Sequence, residues 1–376
     1  MEGMAGQKSS LTWAVNLAAL LLVVLWTIPT AGLFVSSFRD RDQISTTGWW
    51  KSLSASEQTG FVRTGTAADQ KEEGGLYVLD GSVLDGEESL VAWGTSSRAP
   101  AEYQPDETVD VDGAELTVNA NGTYRLQSST PFEMTRGERI FVTTSTPPSF
   151  TTANYSKVLK GDGMGRAFMN TLTVTIPATI IPILIAAFAA YALAWMDFPG
   201  RALLTAAVVG LLVVPLQLAL IPLLQLHNAI GIGKGYLGIW LAHTGFGLPL
   251  AIYLLRNYMA GLPREVIESA RVDGATEFQI FRKIILPLSF PALASFAIFQ
   301  FLWVWNDLLI ATVFLGNSPD ELVMTGVLRE MMGSKGGEWE ILATSAFISI
   351  AVPLLVFFSM QKYLVRGLLA GSVKGG

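Results

Sequence analysis

Six stretches of this chain are each long and apolar enough to cross a bilayer, and nothing else in it constrains the fold as strongly. A membrane-spanning helix needs about 20 mostly apolar residues. Stretches meeting that need run over residues 11–36, 166–195, 202–226, 236–258, 288–315 and 341–364. Pro177, Pro182, Pro215, Pro222, Pro249 and Pro353 fall inside them. A membrane bundle tolerates such prolines where neighbouring helices and local bends satisfy the freed carbonyls, so the spans are retained in the reading. Composition agrees, with charged residues at 15% against about 25% in soluble domains. The first stretch is too long for an ordinary signal core and no small-residue cleavage site follows it, so it reads as a retained helix.

Composition also excludes chemistry. The chain has no cysteine, which removes disulfides, thiolate metal sites and thiol nucleophiles. It has two histidines, His227 and His243, so a histidine-based metal site is poorly supplied. The net charge of −6 gives no reason to expect nucleic acid. Gly231-Ile-Gly-Lys-Gly lacks the spacing, the preceding strand and the Lys-Ser/Thr pair of a phosphate loop, and reads as a turn. No internal repeat or low-complexity tract is present.

Between the fourth and fifth spans lies a polar segment, 263–287, too charged for lipid and too well patterned for a plain loop. Pro263 suits the first turn of a helix. Val266, Ile267 and Ala270 share one face of it, and Gly274 can end it in a left-handed cap. Thr276 followed by Gln279 reads as a capping box opening a second helix, with Phe278, Phe281 and Ile285 on one face. The prediction is a helix–glycine–helix elbow with apolar faces, a shape that suits a partner's groove. The loop from Arg256 to Leu286 holds Arg256, Arg264, Arg271, Arg282 and Lys283. Arg201, Lys8, Lys362, Arg366 and Lys374 fall on the same side of a six-span arrangement, which the positive-inside rule makes cytoplasmic, with both termini.

The elbow resembles the EAA loop of bacterial ABC importer permeases. The resemblance is carried by Glu268, Ser269 and Ala270, then Gly274, Ile284, Leu286 and Pro287 at the family's spacing, with Ser269 in place of the usual alanine. In that family this loop is cytoplasmic and docks on the ATPase. The resemblance therefore implies ATPase coupling at Glu268, Ser269, Ala270, Asp273, Gly274, Ile284, Leu286 and Pro287. Phe168-Met-Asn-Thr-Leu-Thr-Val-Thr is similar to the start of the family's permease core, and Ser36-Ser-Phe-Arg-Asp to sugar-permease usage. Gln361-Lys-Tyr-Leu-Val-Arg-Gly with its glycine-rich end is similar to the tail of the maltose permease, and implies that residues 367–376 reach the ATPase. Gln43-Ile-Ser-Thr-Thr-Gly-Trp-Trp resembles permeases assigned to α-glucosides, so the branch is identified as MalG-like and α-glucoside-type.

The resemblance implies a six-helix ABC importer permease that moves an oligosaccharide or α-glucoside of maltose or trehalose type by alternating access. It implies a second homologous permease (MalF-like), an ATPase dimer (MalK-like) that binds ATP and Mg, an extracytoplasmic sugar-binding protein, and no cofactor in this chain. Walker-type residues are absent, so hydrolysis belongs elsewhere. The expected location is the bacterial cytoplasmic (inner) membrane.

The predicted organisation is an N-terminus and first span at 1–36, an insertion at 37–165, and a five-helix core at 166–376 with its coupling loop at 260–287. Within the insertion, Asp80-Gly81, Asp85-Gly86, Asp112-Gly113, Asn121-Gly122 and Arg136-Gly137 mark turns. Short strand-like runs lie between them at 76–79, 90–93, 115–118, 123–126 and 140–144, the pattern of a small β-rich unit. Residues 38–165 carry 11 basic and 19 acidic side chains, a net −8. That sign agrees with an extracytoplasmic place, although MalG-type permeases generally have a short first outer loop.

Three further groups draw notice. Trp305, Asn306 and Asp307 fall within the fifth span, where a carboxylate is costly unless it faces water or a partner. They either line the sugar path or position the outer end of the helix. Met331, Met332, Lys335 and Gly336 lie in a loop, 316–340, whose position matches the binding-protein loop of the maltose permease. Gln217, Gln225, His227, Asn228, His243 and Thr244 read as helix–helix hydrogen-bonding groups. Two rivals stand: a membrane-anchored sensor or enzyme with its activity in 37–165, which has neither His nor Cys, and a secondary transporter, for which Asp307 is the one candidate ion-coupling group.

Overall fold

The structure, a computed structural model, describes residues 10–372 apart from Asp85, Glu87 and Asp162, with side chains described for 11–363. The turn expected at Asp85-Gly86, Lys8, and the tail from Val373 through Lys374 to Gly376 lie wholly or partly outside the described residues. Internal contacts divide the chain into two units, 1–154 and 155–376.

In the first unit, helix α1 (Ser10–Ser37) leads through the short α2 (Arg41–Thr46) and a 3-10 turn (Trp49–Lys51) into eight strands among the described residues. These are β1 (Ser56–Arg63), β2 (Lys71–Glu73), β3 (Leu76–Ser82), β4 (Ser89–Gly94), β5 (Thr108–Val111), β6 (Ala114–Val118), β7 (Thr123–Ser128) and β8 (Arg139–Thr146). They form two antiparallel sheets, ordered β1-β8-β4 and β2-β3-β7-β6-β5. The alternation expected of half-buried strands is visible in β7, where Tyr124, Leu126 and Ser128 point inward between Thr123, Arg125 and the half-buried Gln127. Inward residues of both sheets, among them Leu79, Trp93, Leu116, Val118, Leu126 and Ile140, make one shared core. Asp112 and Gly113 both adopt positive φ between Val111 and Ala114, which is the two-residue hairpin turn favoured by strand twist.

The two ends of the strand region meet in a polar clasp. Arg39 is buried and donates to the Gln43 carbonyl at 2.9 Å and the Thr47 carbonyl at 3.1 Å. Gln43 donates to the Pro147 carbonyl and Ser149, and Asn154 donates to the carbonyls of Ser37 and Arg39. Residues more than 100 apart in sequence are joined here, and β1 pairs Ser56 with Thr146, so entry and exit lie side by side.

The second unit is helical. After α3 (Ala153–Gly161), which begins at the division, come α4 (Met164–Trp195), α5 (Arg201–Leu211), α6 (Leu216–Ala229), α7 (Tyr236–Ala260), α8 (Arg264–Val272), α9 (Glu277–Ile280), a π turn at Phe281–Ile285, and α10 (Leu286–Leu288). They are followed by α11 (Phe290–Trp305), α12 (Leu309–Phe314), α13 (Met324–Ser334) and α14 (Trp339–Ser372). Helix α4 packs chiefly on α7, and α11 on α14 and α4. Among the described residues four helices, α1, α4, α7 and α14, are long and apolar enough to span a membrane alone; counting two bent pairs as spans gives up to six.

The bent pairs correct the sequence reading. The continuous span expected at 202–226 is broken into α5 and α6, set at 110°. Pro215 begins α6; it lacks an N–H and excludes the helical conformation from the residue before it, and no helix bridges Leu212 to Val214. The span expected at 288–315 ends at Trp305, and α12 begins only at Leu309. Ser289 marks a 70° bend between Glu277–Leu288 and α11. The loop expected at 316–340 contains helix α13, because Met324, Val327 and Met331 recur at helical spacing and are all buried.

Candidate functional site

The elbow at 263–287 forms from local rules. Pro263 precedes α8 as its N-cap rather than sitting in its first turn. Helix α8 ends in a Schellman motif: the Ala275 N–H donates to the Ala270 carbonyl and the Gly274 N–H to the Arg271 carbonyl, both at 3.0 Å. Gly274 takes φ +81°, the left-handed value that closure requires. Thr276 and Gln279 then form a reciprocal capping box, which opens α9.

Packing fixes the elbow on the ends of α4, α7 and α11. Ile267, Ile280, Phe281 and Ile285 are buried with Ala187, Ala190, Tyr191, Leu255, Met259 and Phe296. Phe281 lies 4.6 Å from Phe188 and 5.3 Å from Tyr191, centroid to centroid. A polar clamp reinforces this. Arg271 pairs with Glu277 at 3.0 Å and donates to the Trp195 carbonyl at 3.2 Å, while the Tyr191 hydroxyl donates to the Glu277 carboxylate. The hydrogen bond to Glu277 holds the Arg271 guanidinium above its ordinary pKa. Trp195 donates to the Met259 carbonyl, and Tyr258 to that of Leu288. Helices α8 and α9 are thus joined through packed side chains to α4, α7 and α11.

What the elbow leaves outward is apolar at its tip. Val272 is 88% exposed and Phe278 60%, with Val266 also exposed. The apolar faces expected from sequence are split here: Ile267, Phe281 and Ile285 are buried, whereas Val266 and Phe278 stay outward. The π turn at Phe281–Ile285 explains Phe278, since its wider turn takes Phe278 off the face of Phe281 and Ile285. Glu268, Ser269, Asp273, Gly274 and Pro287 are exposed, and Ala270, Ile284 and Leu286 half-buried. Tyr191, Trp195 and Glu277 were not singled out by sequence, and Arg271 was counted only as a cytoplasmic charge; the opposite charges flanking Gly274 were the available signal.

The other candidates fare unevenly. Trp305 is fully buried, stacked on Phe301 and edge-on to Phe168, and donates to the Ser349 carbonyl at 2.9 Å. Close packing of α11 on α4 and α14 takes it out of any surface in this structure. Asn306 is exposed at the end of α11. Asp307 accepts from the Ile310 and Ala311 N–H groups at 3.2 and 2.9 Å, capping the start of α12. His243 approaches Asp307 at 3.9 Å, beyond hydrogen-bond length. Met331 is buried and accepts from Ser345, whereas Met332 and Gly336 are exposed and Lys335 half-buried.

Residues 138–369 match the family described as binding-protein-dependent transport system inner membrane component. The α-glucoside transport system permease protein AglG of Rhizobium meliloti is 63% identical, over 98% of this chain and 99% of that protein. The osmoprotective compounds uptake permease protein GgtD of Synechocystis is 43% identical, over 96% of this chain and 91% of that protein. A crystal structure of a bacterial ABC transporter that imports alginate matches with a TM-score of 0.50 at 22% identity, covering 58% of this chain and 81% of that one, and supports the helical fold.

The chain belongs to the family of binding-protein-dependent transport system inner membrane components. It is a multi-pass inner-membrane permease subunit of an ABC importer that works with a binding protein and an ATPase, and it is not itself the enzyme that hydrolyses ATP.

Proposed function

We propose that the chain admits an α-glucoside of maltose or trehalose type, in the manner of the α-glucoside permease it matches from end to end. That full-length identity of 63% is the observation that carries the reading. Each bent pair counts as one span, giving six with both termini cytoplasmic. Glu268, Ser269, Ala270, Asp273, Gly274, Ile284, Leu286 and Pro287 form the contact with an ATPase dimer, which holds ATP and Mg, and a second homologous permease completes the path. ATP-driven closure of the dimer pushes on the elbow, and the Tyr191–Glu277–Arg271 clamp passes that motion to α4 and α7 as rigid bodies. Asn306, at the break that Trp305 and Asp307 position, faces the sugar path. Met332, Lys335 and Gly336 meet the binding protein. The test is uptake of radiolabelled maltose, trehalose and sucrose by cells with the gene intact or deleted; import of α-glucosides that persists without it would refute the assignment.

The strand region stands on the extracytoplasmic side and touches the binding protein or companion permease rather than the sugar. Because Ser56 pairs with Thr146, excising 56–146 and closing with a short Gly/Ser linker keeps the Arg39–Gln43–Asn154 clasp. The shortened chain is expected to insert and bind its ATPase normally while needing a several-fold higher concentration of binding protein for half-maximal transport. Loss of insertion, or sugar binding by the excised segment in calorimetry, would contradict this role.

A further inference from the structure

Helix α1 is exposed on every face from Leu11 to Pro29, and its cover begins at Thr30. The bare stretch is 19 residues, about 28 Å at the α-helical rise, close to the ~30 Å hydrocarbon core of a bilayer. The apolar stretch itself continues to Ser37, so the boundary between lipid tails and headgroups falls within Thr30–Ser37. Part of the cover in that interval is the Trp49–Lys51 turn. The Trp49 indole lies against Gly32 so closely that a Cβ there would sit 2.8 Å from its Nε1, so glycine at 32 permits the approach. Trp50 meets Trp49 edge-on at 6.1 Å and turns outward, 72% exposed. Leu53 is 82% exposed and Lys51 is exposed between them.

Two large apolar side chains, Trp50 and Leu53, therefore stand bare beside Trp49, which itself packs on Gly32 of α1. The Arg39–Gln43 hydrogen bonds hold the connector that carries them to the end of that helix. Tryptophan favours the headgroup region, where its ring leaves water while its N–H stays hydrated. A neighbouring lysine lays its stem on apolar surface and its ammonium among lipid phosphates. We propose that Trp50 and Leu53, backed by Trp49 and flanked by Lys51, form an interfacial lipid anchor that sets the depth of the first unit in the headgroup layer. The occupant is the lipid surface itself, because Trp49 seats the patch on a lipid-facing helix at interface depth.

The test uses the native absence of cysteine. Trp50→Cys, Leu53→Cys and, as a mid-membrane standard, Leu20→Cys are made one at a time in the full chain, labelled with an environment-sensitive dye, and placed in nanodiscs of phosphatidylcholine and phosphatidylglycerol. All three positions are exposed in the wild type, so the fold tolerates the label. Labels at 50 and 53 are expected to be quenched more by lipids doxyl-labelled near the headgroup than by lipids labelled near the chain end. Their iodide quenching should be several-fold weaker than that of free dye. The label at 20 should show the opposite depth preference. Iodide quenching equal to free dye would mean the turn stands in water. Protection from both iodide and doxyl lipid would mean another protein covers it. Stronger quenching from the chain end would place it in the hydrocarbon. Each of these three results overturns the proposal.

Discussion

Gly274→Pro is expected to abolish sugar uptake while the chain remains inserted at normal abundance. Nothing lies within 4 Å of a Cβ built at Gly274, so the objection to a side chain is conformational rather than steric. Its φ of +81° is closed to proline, whose ring holds φ near −65°. The substitution also deletes the N–H that satisfies the Arg271 carbonyl and disfavours the near-helical conformation of Asp273. Helix α9 then loses its angle to α8, and the exposed Phe278 shifts relative to the exposed Glu268 and Val272. In the ATPase contact proposed above, anchors of this kind would be worth about 2 kcal/mol or more, roughly a 30-fold loss of docking. Two companions separate surface from backbone. Glu268→Lys and Phe278→Asp change exposed side chains without touching the cap, and are expected to lower transport-coupled ATP turnover with little change in stability. Reconstituted transporter with all three variants, assayed for uptake and ATP turnover together, decides the matter. Normal uptake with normal turnover in Gly274→Pro would remove the elbow from the coupling path.

The elbow was legible in the sequence because its determinants are local: a glycine that must be left-handed, a Thr-to-Gln box, and charges too dense for lipid. What escaped was tertiary. Phe278 parts from Phe281 and Ile285, with which its spacing groups it, at a π turn that no spacing rule announces, and the clamp of Tyr191, Glu277 and Arg271 joins residues up to 86 apart. The strand-like runs bounded by glycine turns fall within β3, β4, β6, β7 and β8. Strand β1 was missed because it is an edge, pairing only with β8, and mostly polar residues suffice there. The clasp was invisible for the same reason as the clamp: Arg39 in isolation reads as a basic residue outside a span, and only Gln43, Thr47 and Asn154 make its burial tolerable. The broken spans show the limit of hydropathy. It counts apolar residues over 202–226 and 288–315 correctly but carries no term for what Pro215 or the capping carboxylate of Asp307 does to helix continuity.

Trp93→Ala should unfold the strand region and leave the membrane helices in place. Trp93 is fully buried on β4, where residues of both sheets converge, against Leu79, Leu116, Val118, Leu126 and Ile140. Its ring lies 4.9 Å from that of Tyr103, its Nε1 donates to the Gln104 carbonyl at 3.0 Å, and its backbone bonds to Tyr103 in both directions. Removing such a ring costs about 3–5 kcal/mol through lost burial and the cavity left behind. Small domains hold only about 5–15 kcal/mol in total, so the loss consumes much of the margin. Phe61→Ala is the milder control: Phe61 lies on the edge strand β1, is more than half exposed, and loses only its cross-strand contacts with Phe141 and Arg139, about 1 kcal/mol or less. Limited proteolysis of the full chain in membrane vesicles reads the difference. Trp93→Ala should be cut within 56–146 at protease concentrations that spare the wild type and Phe61→Ala, while the fragment carrying α4 to α14 stays membrane-bound. Because α4, α7, α11 and the elbow pack among themselves, ATPase binding should survive the cut, and transport should need the same several-fold higher concentration of binding protein as in the excised chain. Equal resistance of Trp93→Ala and wild type would mean that the two sheets do not share a core at this residue.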